Sequence, residues 1–153
     1  MTAIAADLLV GASTDFLRNF SPFNRMEPEA LAFVAERAVL AFHPRGSDIL
    51  TTEMGVPRHF YIVQRGKVQA RQTGATAVTE YASLSLGAGE CFPIGAISAQ
   101  RPSTNAYVAV EDSFCFQITD EEFLQLMQMS PVFHLFCTQY IASLLNQSRQ
   151  QLQ

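Results

Sequence analysis

The chain has 153 residues, 48% of them hydrophobic and 12 of them Phe, and a formal net charge of -4; that is one domain's length with enough apolar material for a core without staples. Its 10 Lys and Arg never stand in succession, so it lacks the clustered cations that displace counterions from nucleic acid or dock on an anionic membrane. The 3 Cys (Cys91, Cys115, Cys137) are widely spaced with no CxxC, which leads us to expect reduced thiols in a cytoplasmic protein.

Residues 1–38 read as a helical lead-in. The opening MTAIAADLLVGAS has no basic start, contains Asp7 and is too short to span a membrane. STDFLRNFSPF reads as a short helix capped by Ser13 or Thr14, with Phe16, Leu17 and Phe20 on one face. EPEALAFVAERA follows, with Pro28 in the first turn and Leu31, Val34 and Ala38 at helical spacing. Residues 39–118 change period. VLAFH, DILTTE, HFYIVQ, KVQARQT, AVTEYASLSL, AYVAV and SFCFQI are short and rich in Val, Ile, Phe, Tyr and Thr. Many are separated by glycine turns at Gly46, Gly66, Gly74, Gly87 and Gly89. This predicts a mainly β fold, a β-roll or jelly-roll-like barrel. In SFCFQI, Phe114, Phe116 and Ile118 share one face and Ser113, Cys115 and Gln117 the other.

Residues 119–153 return to helix. Thr119 and Glu122 form a capping box, and Phe123, Leu126 and Met127 face the core. Ser130 and Pro131 then open a last helix whose apolar residues are Phe133, Phe136, Cys137, Tyr140, Ile141, Leu144 and Leu145. That stripe is wider than one contact face needs, so one edge can pack on the barrel and the other on a further helix. It reaches residue 153 with no Gly or Pro stop, and we expect it to continue into another domain.

The segment GECFPIGAISAQRPSTNAYVA, Gly89–Ala109, has the outline of a phosphate-gripping loop, a glycine-led turn followed by a helical turn and a Pro-Ser-Thr step into a strand. It holds no carboxylate after Glu90 and one cation, Arg101. Helices around eight or so short strands, PRGSDILTTEMGVPRHFYIVQRGKVQA with Gly46, Gly55, Tyr61–Val63, Gly66 and Val68, and then GAGECF, together resemble the cyclic-nucleotide-binding domain family over roughly residues 20–145, with the phosphate-cassette-like part at residues 89–105. The family's cassette reads Phe-Gly-Glu-x-Ala-Leu and later Pro-Arg-Ser/Ala-Ala-Thr. Here Phe92 is kept, Pro93 replaces the Gly, and Ile94 replaces the Glu that binds the ribose hydroxyl. After Gly95, Ala96 and Ile97 fit the Ala-Leu step, Pro102 fits the Pro, and Ser103 replaces the Arg that pairs with the cyclic phosphate. A charge-assisted bond is worth about 1.5–3 kcal/mol, so losing both costs several decades of affinity. The resemblance therefore implies a regulatory, signal-transducing fold in which cyclic AMP or cyclic GMP is not a tight ligand.

A weaker anion role is open: backbone N–H groups at Gly95, Ala96 and Ile97, neutral donors at Ser103, Thr104 and Asn105, and Arg101 swinging in. The bland alternative makes Arg101 a solvated loop residue and Ser103 and Thr104 a strand start. The cassette variant followed by SPVFHLFC resembles one bacterial subgroup in particular, in which the module precedes paired CBS domains and a nucleotidyltransferase-like domain.

No enzyme constellation competes. His43, His59 and His134 stand apart without HxH or HExxH, no metal site is expected, and no Gly-x-Ser-x-Gly occurs. Cys91 reads as a buried inert thiol. No haem-attachment spacing accompanies Cys91, Cys115 and His59, so no cofactor is expected. No DNA-reading helix-turn-helix follows the long helix within these residues. Two readings remain: a ligand-responsive regulatory module with a changed pocket, whose candidate ligand residues are Phe92, Ile94, Gly95, Ala96, Ile97, Arg101, Ser103, Thr104 and Asn105; or a ligand-free scaffold that dimerises or meets another domain through Phe133, Phe136, Tyr140, Ile141, Leu144 and Leu145.

Overall fold

The structure is a computed structural model that describes residues 11–72 and 83–152, with side chains on the last helix as far as Leu144. Eight strands form two four-stranded antiparallel sheets. The first is ordered β1 (Val39–His43), β8 (Ser113–Thr119), β3 (His59–Arg65), β6 (Cys91–Phe92); the second β2 (Asp48–Leu50), β7 (Asn105–Ala109), β4 (Val68–Gln72), β5 (Ser83–Leu86). Helix α1 (11–17), a 3-10 turn at Phe23–Arg25 and α2 (Pro28–Arg37) precede the sheets. The short α3 (Ile94–Ala99) lies between β6 and β7, and α4 (Asp120–Met129) and α5 (Pro131–Leu152) close the chain.

The first sheet is covered on both faces, which explains the near-continuous burial of β3. Phe60 and Ile62 point to the helices, where they join Leu17, Phe23, Val34, Phe123, Leu126 and Phe133 in one core. Tyr61 and Val63 point into the roll, where they meet Ile49, Val68, Leu86, Phe92 and Tyr107 in a second. The alternation of β8 splits the same way, with Phe116 and Ile118 toward the helices and Cys115 into the roll. Phe114 keeps the phase of Phe116 and Ile118 along β8 but is only partly buried and joins neither core. The β3–β8 register shifts opposite it, between Val63 and Arg65, and its ring pairs with Phe42 at 5.0 Å while Phe42 stays 52% exposed. Phe116→Ala should therefore cost about 3–5 kcal/mol. Phe114→Ala should cost nearer the 0.5–1.5 kcal/mol or so of an aromatic pair. Urea denaturation of the two variants checks this, and equal losses would mean that the strand phase is wrong.

Local expectations are met in several places and corrected in others. The Thr119–Glu122 capping box is present, and Ser130 Oγ accepts from Phe133 N–H at 3.0 Å to open α5. The backbone is already helical at 11, so Ser13 and Thr14 lie inside α1 and do not cap it. The stretch DILTTE is strand only to Leu50 and then a 3-10 turn at Thr52–Met54. The two-residue strand β6, paired to β3 through Tyr61 and Phe92, is an element that the sequence does not announce. Thr73, Gly74 and the first half of AVTEYASLSL lie outside the described residues, as do residues 1–10 of the lead-in.

Glu27, at the N-cap of α2, reaches across to the start of α5. Its carboxylate accepts from Ser130 Oγ at 2.6 Å and from Val132 N–H at 3.5 Å. The Ser130 bond, helped by backbone donors at Glu27 and Val132 and opposed in part by desolvation, holds the Glu27 carboxyl below the ordinary glutamate range. A depressed carboxyl contributes its stability in full above the unfolded glutamate pKa of about 4.3. The contribution shrinks below that pH and is gone beneath the folded pKa. Glu27→Gln should flatten the acid limb of a plot of melting temperature against pH below about pH 4.5, while leaving its shape near neutrality unchanged. An unchanged acid limb would show that the Glu27 clasp is not formed.

Candidate functional site

The cassette-like segment is set by its entry. At Gly89 φ is +85°, and a Cβ there would meet the ring of Phe20, so only glycine fits the approach. Gly89 N–H donates to the Val63 carbonyl at 2.8 Å, and Val63 N–H to the Glu90 carbonyl at 2.9 Å. These bonds fasten the segment to β3. The Glu90 carboxylate is engaged locally, accepting from Gly87 N–H at 3.0 Å. Phe92 then inserts between Tyr61 and Tyr107, ring centroids 4.9 and 4.6 Å away and nearly parallel. Phe92 and Tyr107 of this column line the site, and the column ties the two sheets together. Burial pushes the Tyr107 hydroxyl up to about 12, opposed in part by a side-chain bond to Asn105.

Above the column, α3 runs from Ile94 to Ala99, and Gln100 closes it in the left-handed region at φ 54°. Arg101 N–H donates back to the Ala96 carbonyl at 3.1 Å. Helix α5 packs across α3, bringing Tyr140 and Leu144 over the opening. The result is a cavity of about 570 Å³. Its walls come from Ala70 and Gln72 on β4, Leu84 and Leu86 on β5, Cys91 and Phe92 on β6, much of the stretch between Pro93 and Asn105, and Tyr107. Cavities of this size suit small-molecule ligands.

The predicted ligand residues converge on this space, but with altered roles. Ile94 is 3% exposed and belongs to the helix-side core. Ile97 is fully buried, does not line the cavity, and spends its N–H on the Pro93 carbonyl at 3.1 Å, so it is not a donor to a ligand. Gly95, Ala96, Thr104 and Asn105 line it, as do Phe92, Ile94, Arg101 and Ser103. Ser103 is 5% exposed and turned onto its own chain: its Oγ donates to the Asn105 carbonyl at 2.7 Å and accepts the Asn105 N–H at 3.2 Å. Arg101 is exposed at the rim and is the one formal charge among the described lining residues. Sequence reading misses the walls from β4 and β5 and the lining role of Tyr107; the inward alternation of Val68, Ala70 and Gln72 is the available signal.

The residues assigned to an interface divide. Phe133 is wholly buried against Phe23, Phe60 and Phe123, so it belongs to this chain's own core and offers no surface. Phe136 and Tyr140 also pack on that core, and Leu144 borders the cavity. Positions 133, 136, 137, 140 and 144 are thus one helical stripe turned inward. Ile141 is half-buried, and the side chain of Leu145 lies outside the described residues.

The cysteines are all free and buried. Burial raises Cys91 well above the ordinary thiol range, with smaller pushes from Cys137 and Glu90, and raises Cys115 and Cys137 to about 12. Low thiolate character removes them as nucleophiles near neutral pH. His43 and His59 both stand against Tyr61, at 6.3 and 6.1 Å between rings, and His134 is on the outside of α5. Among the described residues no three His, Cys, Asp or Glu come together to hold a metal ion.

The sequence model of the cyclic nucleotide-binding domain matches residues 42–130. The chain belongs to that family. Solved structures agree in fold. The Thermus thermophilus catabolite activator protein superposes with a TM-score of 0.69 at 22% identity, over 82% of this chain and 58% of that one. The regulatory domain of Toxoplasma gondii PKA, solved with cAMP, gives 0.77 at 19% identity, over 90% and 52%. The sensor domain of the transcriptional regulator DNR from Pseudomonas aeruginosa gives 0.70 at 15% identity, over 88% and 94%. The chain thus spans little more than half the length of the first two. No curated protein sequence matches it. Within this cyclic nucleotide-binding domain, the two sheets, the segment between β6 and β7, and α5 all contribute to the cavity. No helix among the described residues is long and apolar enough to cross a membrane.

Proposed function

We propose that this cyclic nucleotide-binding domain is the regulatory input module of a larger cytoplasmic bacterial protein, and that its pocket has lost ordinary cyclic AMP and cyclic GMP binding. One observation carries the reading. The two cassette positions that resemble the family's charged grips hold Ile94, buried in an apolar core, and Ser103, whose hydroxyl is bonded to Asn105. A ribose hydroxyl and a cyclic phosphate brought to these positions would lose water without gaining charged partners. Signal output would run through α5. A ligand in the cavity touches Tyr140 and Leu144 and so biases the position of the last helix, which in the subgroup the cassette resembles leads toward CBS and nucleotidyltransferase-like domains. We assign it no reaction of its own, no cofactor and no nucleic-acid partner.

The alternative, a ligand-free dimerising scaffold, would use the outer side of α5, where Leu135 is 55% exposed. A thermal-shift screen separates the two. Cyclic AMP, cyclic GMP, cyclic dinucleotides, linear adenine nucleotides and phosphate are each added at about 1 mM; a ligand with a Kd a hundredfold lower adds about 2.7 kcal/mol. No shift with either cyclic mononucleotide is expected. A shift with another ligand supports the retooled sensor, whereas none with any, joined to a concentration-dependent dimer, supports the scaffold. A clear rise with cyclic AMP overturns the proposal.

A further inference from the structure

Some polar groups of the cavity are engaged within the chain. Ser103 Oγ is bonded on both sides to the Asn105 backbone, and the backbone N–H of Arg101 goes to Ala96. The Arg101 guanidinium is different. It is exposed at the rim, takes part in neither of the ion pairs found among the described residues, and has no carboxylate among the described lining residues. Apolar side chains also line the same cavity, among polar ones such as Gln72 and Thr104. Leu84 is 53% exposed and Leu144 42% exposed, facing the cavity from β5 and α5, with Leu86 buried behind them. Apolar surface left open around a pocket, next to one uncompensated cation, is complementary to a ligand with an apolar body and one negative charge.

We propose that this cavity binds a small monoanion with an apolar body, a carboxylic acid of about ten to fifteen heavy atoms, its carboxylate on Arg101 and its body between Leu84, Leu86 and Leu144. The inference rests on the reading that cyclic nucleotides are not tight ligands of the same cavity. It supplies what that reading leaves open. Covering Leu144 couples occupancy to α5 directly, because the ligand's body packs on the lid helix itself.

The test uses the intact chain and three probes, measured by calorimetry: octanoate, octan-1-ol with the same body and no charge, and cyclic AMP. Octanoate should bind at least about tenfold more tightly than octanol, the effect of one charge-assisted contact. Arg101→Gln should remove that preference, and being exposed it leaves the fold intact by circular dichroism. Leu144→Glu, which places a like charge at the mouth, should weaken octanoate by a further factor of about ten or more. Equal binding of octanoate and octanol, unchanged in Arg101→Gln, overturns the assignment of Arg101. Failure of both to bind, with cyclic AMP also silent, overturns this inference and leaves the loss of nucleotide binding standing. Tight binding of cyclic AMP that displaces octanoate overturns the underlying reading, and this inference with it.

Discussion

Phe133→Ala should destabilise the domain by about 3–5 kcal/mol. The Phe133 side chain is 0% exposed and its ring stands 5.7 Å from Phe60 and 5.6 Å from Phe123, both edge-on, and 6.5 Å from Phe23. It therefore joins α5 to β3, to α4 and to the turn after α1. Truncation removes a large buried surface and leaves a cavity that several separate elements would have to collapse to fill. Two aromatic edge contacts are lost as well. The loss also has a functional face, because α5 carries Tyr140 and Leu144 over the pocket. On the proposed reading, a helix released at Phe133 would no longer report what the cavity holds. Urea unfolding of wild type and variant gives the number. A loss under about 1 kcal/mol would mean that Phe133 is not a core residue and would return it to the surface.

Gly66→Ala should be nearly as damaging, and Gly46→Ala is its control. Both glycines have positive φ, 103° and 88°. At Gly46 nothing lies within 4 Å of where a Cβ would stand, so only backbone strain remains, about 1–2 kcal/mol. At Gly66 the added carbon would come within 2.6 Å of the Asp112 carbonyl and 2.7 Å of Ser113 Cα, which are backbone and cannot swing aside. Ser113 is itself fully buried, accepting from Lys67 N–H at 3.1 Å and donating to the Glu111 carbonyl at 2.8 Å. The clash adds about 1–3 kcal/mol, for a total of about 2–5 kcal/mol. Equal losses at the two sites would show that the β3–β4 and β7–β8 turns do not approach as closely as described.

Gly66 and Phe133 also mark what is legible in the sequence and what is not. A glycine after a strand of apolar residues signals a tight turn, and the turn at Gly66 between β3 and β4 needs no more than that. The caps of α4 and α5 are equally readable, since Thr119 with Glu122 and Ser130 with Phe133 N–H act within one turn of their own helices. Phe133 is ambiguous for a physical reason. A wide apolar helix face looks the same whether its partner is the chain's own sheet or another molecule, and only the covering of β3 on both faces decides it. Strand β6 is hidden because two residues carry no periodicity. In the site, the cassette-like segment shows itself by its words, and the apolar Ile94 and neutral Ser103 are plain in the sequence itself. The walls are not. Ala70, Leu86 and Tyr107 are distant in the chain from Leu144, and no local pattern says that they share a cavity with it.

On the proposed reading, the domain keeps a cavity large enough for a small ligand but has lost its grip on cyclic nucleotides. Equilibrium dialysis of cyclic AMP against the chain tests it most directly, because it reads occupancy without depending on any change in stability. With Ile94 and Ser103 in place of the charged grips, the dissociation constant should be about 1 mM or weaker, an affinity of about 4 kcal/mol at most. A dissociation constant of about 10 μM or tighter, abolished by Leu144→Glu at the mouth of the cavity, would contradict the claim and make the domain an ordinary cyclic nucleotide receptor.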